Sequence, residues 1–152
     1  MLEINNEEKE ILKSEIELLS QSPDGNERTK TEFKNLLAAI EEQKIDGIQL
    51  SALTYAIELL LTTGEIRRKY SPIEEQKIFR LYCKTPSGKE RKDNIDELNK
   101  SLKALQKQKI ENISFSLKLP GVYGISITTD KCELTLNANQ FGVYADKLEL
   151  EI

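Results

Sequence analysis

At Ile113 the apolar residues change their spacing, and that change limits what the chain can become. Before it they recur every three or four positions, as in Ile11, Leu12, Ile16 and Leu19, or Phe33, Leu36, Leu37 and Ile40. After it they alternate: Ile113, Phe115, Leu117 and Leu119 are separated by Ser114, Ser116 and Lys118. Side chains return to the same side after about 3.6 residues in a helix and after every second residue in a strand. Helices first and strands last therefore predict an α+β protein, with helices gathered on the apolar side of a C-terminal sheet.

About five amphipathic helices are expected. Asn6 is placed to cap the first, which runs to about Leu19, with Glu7, Glu8 and Glu10 set favourably against its dipole. Ser22-Pro23-Asp24-Gly25-Asn26 reads as a turn. A second helix covers roughly 29–44 and is ended by Asp46-Gly47. Ser51 caps a third through Thr63, with Gly64 where a left-handed residue belongs. That helix is apolar around most of its circumference, as a central core helix would be, and Glu58 lies on its single polar strip. Ser71 with Glu74 makes a capping box, Pro72 takes the first helical position, and a basic helix follows over 73–84. Thr85-Pro86-Ser87-Gly88 reads as its stop and opens a basic loop over 84–92. Asn94 with Glu97 signals the next start, giving a second basic helix over 94–109.

The remainder reads as a four-stranded antiparallel β-meander with one wet face. Pro120-Gly121 suits the centre of a type II turn, Thr129-Asp130-Lys131 the second connection and Asn137-Ala138-Asn139-Gln140 the third. A chain of 152 residues can bury a sufficient core without a disulfide or metal staple. One compact domain, 1–152, is expected. A subdivision into an acidic helical part, 1–64, and a basic part with the sheet, 65–152, is the alternative.

Charge supports that subdivision. Residues 1–64 carry 6 basic and 13 acidic side chains, residues 65–110 carry 13 and 7, and residues 111–152 carry 3 and 6. Such a pattern either marks an anion-binding middle or lets the basic segment pack beside the acidic helices of its own chain. The sequence contains no His. That excludes Ser-His-Asp and Cys-His nucleophile pairs, His-ligated metals and an imidazole switch. No cofactor and no metal site is expected. The first residues show no basic and apolar leader, and Ile48 to Leu61 is too short to span a bilayer. With only Cys83 and Cys132 as thiols, a reducing cytoplasmic location is expected, away from membranes.

Few motifs invite chemistry. Thr85-Pro86-Ser87-Gly88-Lys89-Glu90 fails as a phosphate loop, because Cys83 stands where its first Gly should be and Glu90 replaces the magnesium-binding Ser/Thr. Cys83 has Arg80 and Lys84 nearby but no base to activate it. Cys132 alternates with Leu134 and Leu136 and belongs to the core. Glu7-Glu8, Glu41-Glu42 and Glu74-Glu75 are adjacent pairs, which diverge on a helix.

Two lysine-rich stripes remain, Lys77, Arg80 and Lys84, then Lys100, Lys103 and Lys107. Two basic helices followed by a hairpin resemble a winged helix in element order. That likeness implies a recognition helix over 94–109 and a wing at Pro120-Gly121. Asp96 on the basic face and the acidic total argue against it. The leading expectation is a non-enzymatic regulator, adaptor or inhibitor that meets a protein partner, or a second copy, through charged surfaces. Nucleic-acid binding is the alternative. The candidate contacts are Arg67, Arg68, Lys77, Arg80, Lys84, Lys89, Arg91, Lys92, Lys100, Lys103 and Lys107.

Overall fold

The computed structural model describes residues 2–23, 25–140 and 142–150. Among these residues six helices precede a four-stranded antiparallel sheet, so the fold is α+β with six helices where the sequence suggests about five. The chain divides into two compact units, Met1–Gly88 and Lys89–Ile152.

The first unit holds α1 (Asn6–Gln21), α2 (Glu27–Glu41), α3 (Gly47–Thr62), α4 (Glu65–Lys69), α5 (Pro72–Tyr82) and the first residues of α6 (Pro86–Lys103). Helix α3 packs against α2, α4 and α5, and α1 packs against α2. Leu12 and Ile16 of α1, Leu36 and Ile40 of α2, and Leu53 and Ile57 of α3 are fully buried together with Ile66, Ile78 and Leu81. Each such side chain contributes about 1.5–3 kcal/mol through removal from water. An antiparallel bridge between Leu2 and Ile45 joins the chain's first residues to the α2–α3 connection.

The caps correct several expected boundaries. Asn5, not Asn6, caps α1: its side chain accepts from the Glu8 amide at 2.9 Å, and the Glu8 carboxylate accepts from the Asn5 amide at 2.9 Å. A capping box needs an acid three residues on, and from Asn6 that position is Lys9. Asn5→Ala is therefore expected to cost about 1 kcal/mol of stability. Asn6→Ala, which loses only a surface bond from Gln43, should change stability by less than about 0.5 kcal/mol. Urea denaturation of the two variants separates the alternatives, and equal effects would place the cap elsewhere. Helix α2 begins at an Asn26 cap and ends before Gln43, which is left-handed at φ 55°. Asp46 occupies the N-cap position of α3 without a side-chain capping bond, so Asp46-Gly47 starts a helix where the sequence suggests an ending, one turn ahead of Ser51. Gly64 is left-handed, at φ 75°, directly after α3, as its position implies. The Ser71–Glu74 box and Pro72 start α5 as expected.

The segment 84–92 is the largest correction. It is not a loop: Thr85 is fully buried and starts α6. Its hydroxyl donates to the Tyr82 carbonyl at 2.7 Å and accepts from the Gly88 amide at 3.2 Å. Pro86 takes the first helical position, where its missing N–H costs nothing. A Thr-Pro pair thus does what Ser71-Pro72 does one helix earlier. Asn94 and Glu97 fall inside α6, which stops at Lys103 and not at 109, and Lys107 is left-handed at φ 64°.

In the second unit α6 leads to β1 (Ile110–Leu119), β2 (Val122–Thr129), β3 (Cys132–Asn139) and β4 (Gly142–Leu150). Each strand pairs with the next in the order β1-β2-β3-β4. Gly121 has φ 80°, the positive value that the second central residue of a type II turn requires. The third strand continues through Asn139, further than the proposed Asn137–Gln140 turn allows. Leu98, Leu102 and Leu105 cover Leu134, Leu136, Ile125 and Val143 on one sheet face. Cys132 is buried, and its amide donates to the Thr129 hydroxyl at 2.9 Å.

Candidate interaction surface

Strand β1 sits at an open edge of the sheet and is exposed along its whole length. Its composition makes that exposure costly. Ile113 is 50% exposed, Phe115 74% and Leu117 66%. The register explains which way they point. Ile113 lies opposite Ile127, Phe115 opposite Ile125, and Leu117 opposite Tyr123, while Ile125 and Ile127 lie opposite Leu136 and Leu134. Directly opposed residues in an antiparallel sheet share a face. The β1 row therefore continues the apolar face of the sheet, beyond the β2–β4 residues against which α6 packs.

The other face is polar. Ser116 lies opposite Gly124, and a Cβ at Gly124 would stand 2.6 Å from the Ser116 hydroxyl and 2.9 Å from the Lys118 chain. Glycine keeps that channel open, and Lys118 reaches Asp146 of β4 at 2.9 Å. The Lys118 ammonium holds the Asp146 carboxyl below its ordinary range. Register shifts at Ile110/Asn112 and Leu117/Leu119 bound a regular central stretch, Asn112 to Leu117.

The expected basic contacts fall into separate groups. Arg67, Arg68, Lys77, Arg80 and Lys84 belong to the first unit. Arg67 pairs with Glu75 at 3.0 Å, Arg68 with Glu65, and Lys77 with Glu7 of α1. In these pairs basic residues meet acidic groups of their own chain. Arg80 and Lys84 are exposed and have no ion pair with another described residue. Lys89, Arg91, Lys92, Lys100 and Lys103 lie on α6 and Lys107 follows it. On α6 they alternate with Glu90, Asp93, Asp96 and Glu97, which leaves that helix close to neutral.

The concave sites are open hollows, and one of about 420 Å³ in the first unit is lined by Glu7, Glu10, Tyr70, Glu74 and Lys77. The junction of α6 with the β3–β4 turn forms a hollow of about 320 Å³ lined by Arg91, Asn94, Ile95, Asn139, Gly142 and Tyr144, with no carboxylate or thiol among the described residues. Another, of about 360 Å³, includes Tyr55, Glu58 and Ser87. Glu58, on the polar strip of α3, is half-buried and accepts from the Tyr82 hydroxyl at 2.8 Å. Among the described residues no group of three or more His, Cys, Asp or Glu could hold a metal ion. Among the described residues no helix is long and apolar enough to cross a membrane. The charged contacts expected from the sequence do not include the apolar row of β1. Its signal was present in the alternation from Ile113 to Leu119, but alternation does not distinguish a covered strand from an open edge.

Comparison of the chain with family models, curated proteins and solved structures finds no match.

Proposed function

We propose that this chain is a non-enzymatic, cytoplasmic interaction protein that acts stoichiometrically, docking through the exposed β1 edge. One observation carries the reading: a ten-residue edge strand with three large apolar side chains on one face is at least half exposed at each of them. Exposed hydrophobic edges promote unwanted pairing, and proteins usually blunt them with mid-strand lysines, prolines or a covering segment. Here the regular stretch Asn112–Leu117 contains no charge and no Pro. The flanking Glu111 and Lys118 then serve orientation and encounter, while the apolar row supplies affinity. Two free cysteines suit a reducing compartment.

Nucleic-acid binding has less support, because acidic residues interrupt the α6 stripe and several of the candidate cations pair within the chain. The test compares the full chain with its triple variant Ile113→Ser, Phe115→Ser and Leu117→Ser as immobilised baits, with circular dichroism to verify the fold. Stoichiometric capture of a defined protein by the parent chain, lost in the variant, is the expected result. Equal capture by both would overturn the reading. So would salt-dependent binding of a labelled DNA duplex, whose log–log slope would count neutralised phosphates.

A further inference from the structure

We infer that the partner of β1 is β1 of a second copy, paired antiparallel about a two-fold axis at Phe115. This inference rests on the docking role proposed for that strand and names its occupant. The residue pattern is self-complementary about Phe115. In that register Phe115 faces its own counterpart, Ile113 faces Leu117 of the second copy, and Ser114 faces Ser116 of the second copy. Only pairing of odd-numbered with odd-numbered residues keeps the apolar rows of both copies on one face, because a slip of one residue sends one row to the polar side. The result is an eight-stranded sheet whose apolar face runs unbroken from one Leu134–Leu136 cluster to the other.

Charge favours the same orientation. Glu111 and Lys118 are the only ionisable residues of the strand and stand near its opposite ends. An antiparallel mate brings the acidic end of each copy near the basic end of the other, where Lys118 also pairs with Asp146 of its own chain, whereas a parallel mate would set like against like. Exposed apolar area contributes as well. At roughly 200 Å² for a large side chain, Ile113, Phe115, Leu117 and the half-exposed Tyr123 present about 500 Å² per copy. Stable interfaces bury roughly 800 Å² per partner, and the strand edges with Asn112, Ser114 and Ser116 add to the apolar strip. Such an interface is isologous and closes, so it yields a dimer and not a fibre.

Sedimentation velocity of the full chain gives the first readout: a concentration-dependent dimer is expected. Phe115→Lys removes both rings on the axis and places two like charges there, and should weaken the dimer roughly a hundredfold or more. Because Phe115 is 74% exposed, this variant should retain its circular dichroism. Register is read by disulfide trapping against the parent chain as control. Phe115→Cys should cross-link with itself. Ile113→Cys and Leu117→Cys should cross-link only when mixed, because directly opposed Cα atoms lie within disulfide reach and like positions four residues apart do not. A parent chain that stays monomeric at high concentration would overturn the second-copy inference, and the bait comparison above then decides separately whether β1 docks at all. Self-cross-linking at Ile113→Cys alone, or a dimer unaffected by Phe115→Lys, would also overturn it.

Discussion

Replacing Glu15 with alanine is expected to destabilise the protein by about 2–3 kcal/mol, read as a lowered urea midpoint. The Glu15 side chain is only 3% exposed on the inner side of α1. A carboxylate in that position survives because two donors reach it, Lys69 Nζ at 2.8 Å and the Tyr70 hydroxyl at 2.9 Å. Together these bonds tie the end of α4 and its cap residue to α1, across 54 and 55 positions of sequence. Removing one partner of a buried pair costs about 3–5 kcal/mol when the other charge is stranded. Lys69 is not stranded, since it is 40% exposed and also meets Glu65 at 3.4 Å. The loss therefore falls below that range, at the two hydrogen bonds and the packing around them. Glu15→Gln, which keeps shape and an acceptor, should cost less.

The same cluster sets an alkaline limit. The hydrogen bond to Glu15 is the largest cause that raises Lys69 above its ordinary 10.5. Burial first, and then Glu15, raise Tyr70 above its ordinary 10.0. Folded molecules thus keep both protons at pH values where unfolded chains release them. Their stabilising contribution is complete below about pH 10 and is lost as pH rises through the raised values. Glu15→Gln should make the alkaline decline shallower, leaving the part due to burial of Tyr70. A decline of unchanged steepness would show that Glu15 is not its source.

Gly88→Ala is the second large effect, with a net loss of about 2 kcal/mol or more expected. In a helix alanine is ordinarily favoured over glycine by about 1 kcal/mol. Here a Cβ would stand 2.0 Å from the Tyr82 carbonyl oxygen and 2.8 Å from the Cys83 Cα. Both obstacles are backbone, so no rotamer change relieves them. The displaced carbonyl also accepts the Thr85 amide and hydroxyl, at 2.9 and 2.7 Å, so the α6 cap is strained with it. Overpacking of this kind costs about 1–3 kcal/mol and more when backbone must move, which exceeds the helical gain. A variant as stable as the parent would refute the close approach of α5 and α6.

Period was a dependable guide where each element buries one side. The helical stripe of Ile11, Leu12 and Ile16, the capping box at Ser71 and the alternation after Ile113 all became the elements they signal. Boundaries were harder, because turn residues are ambiguous about direction. Asp46-Gly47 and Thr85-Pro86 each follow one helix and begin another, and local chemistry alone does not say which role dominates. The burial of Thr85 decides it, and burial depends on contacts that sequence spacing does not display. The interaction surface was hidden for a related reason. Ile113, Phe115 and Leu117 look like core residues, and only their place at a sheet edge makes them surface.

The meander has a kinetic consequence. Each strand pairs with its immediate successor, so every rung of the sheet closes a short loop and no strand waits for a distant mate. Topologies of this kind lose little chain entropy before contacts form, and they assemble quickly by successive hairpins. During synthesis β1 leaves the ribosome first and β4 last. The strand whose large apolar side chains stay most exposed is therefore presented earliest, and only the β2 side of it is ever satisfied within the chain. At high expression the nascent sheet should be prone to associate through that strand before β4 has been made.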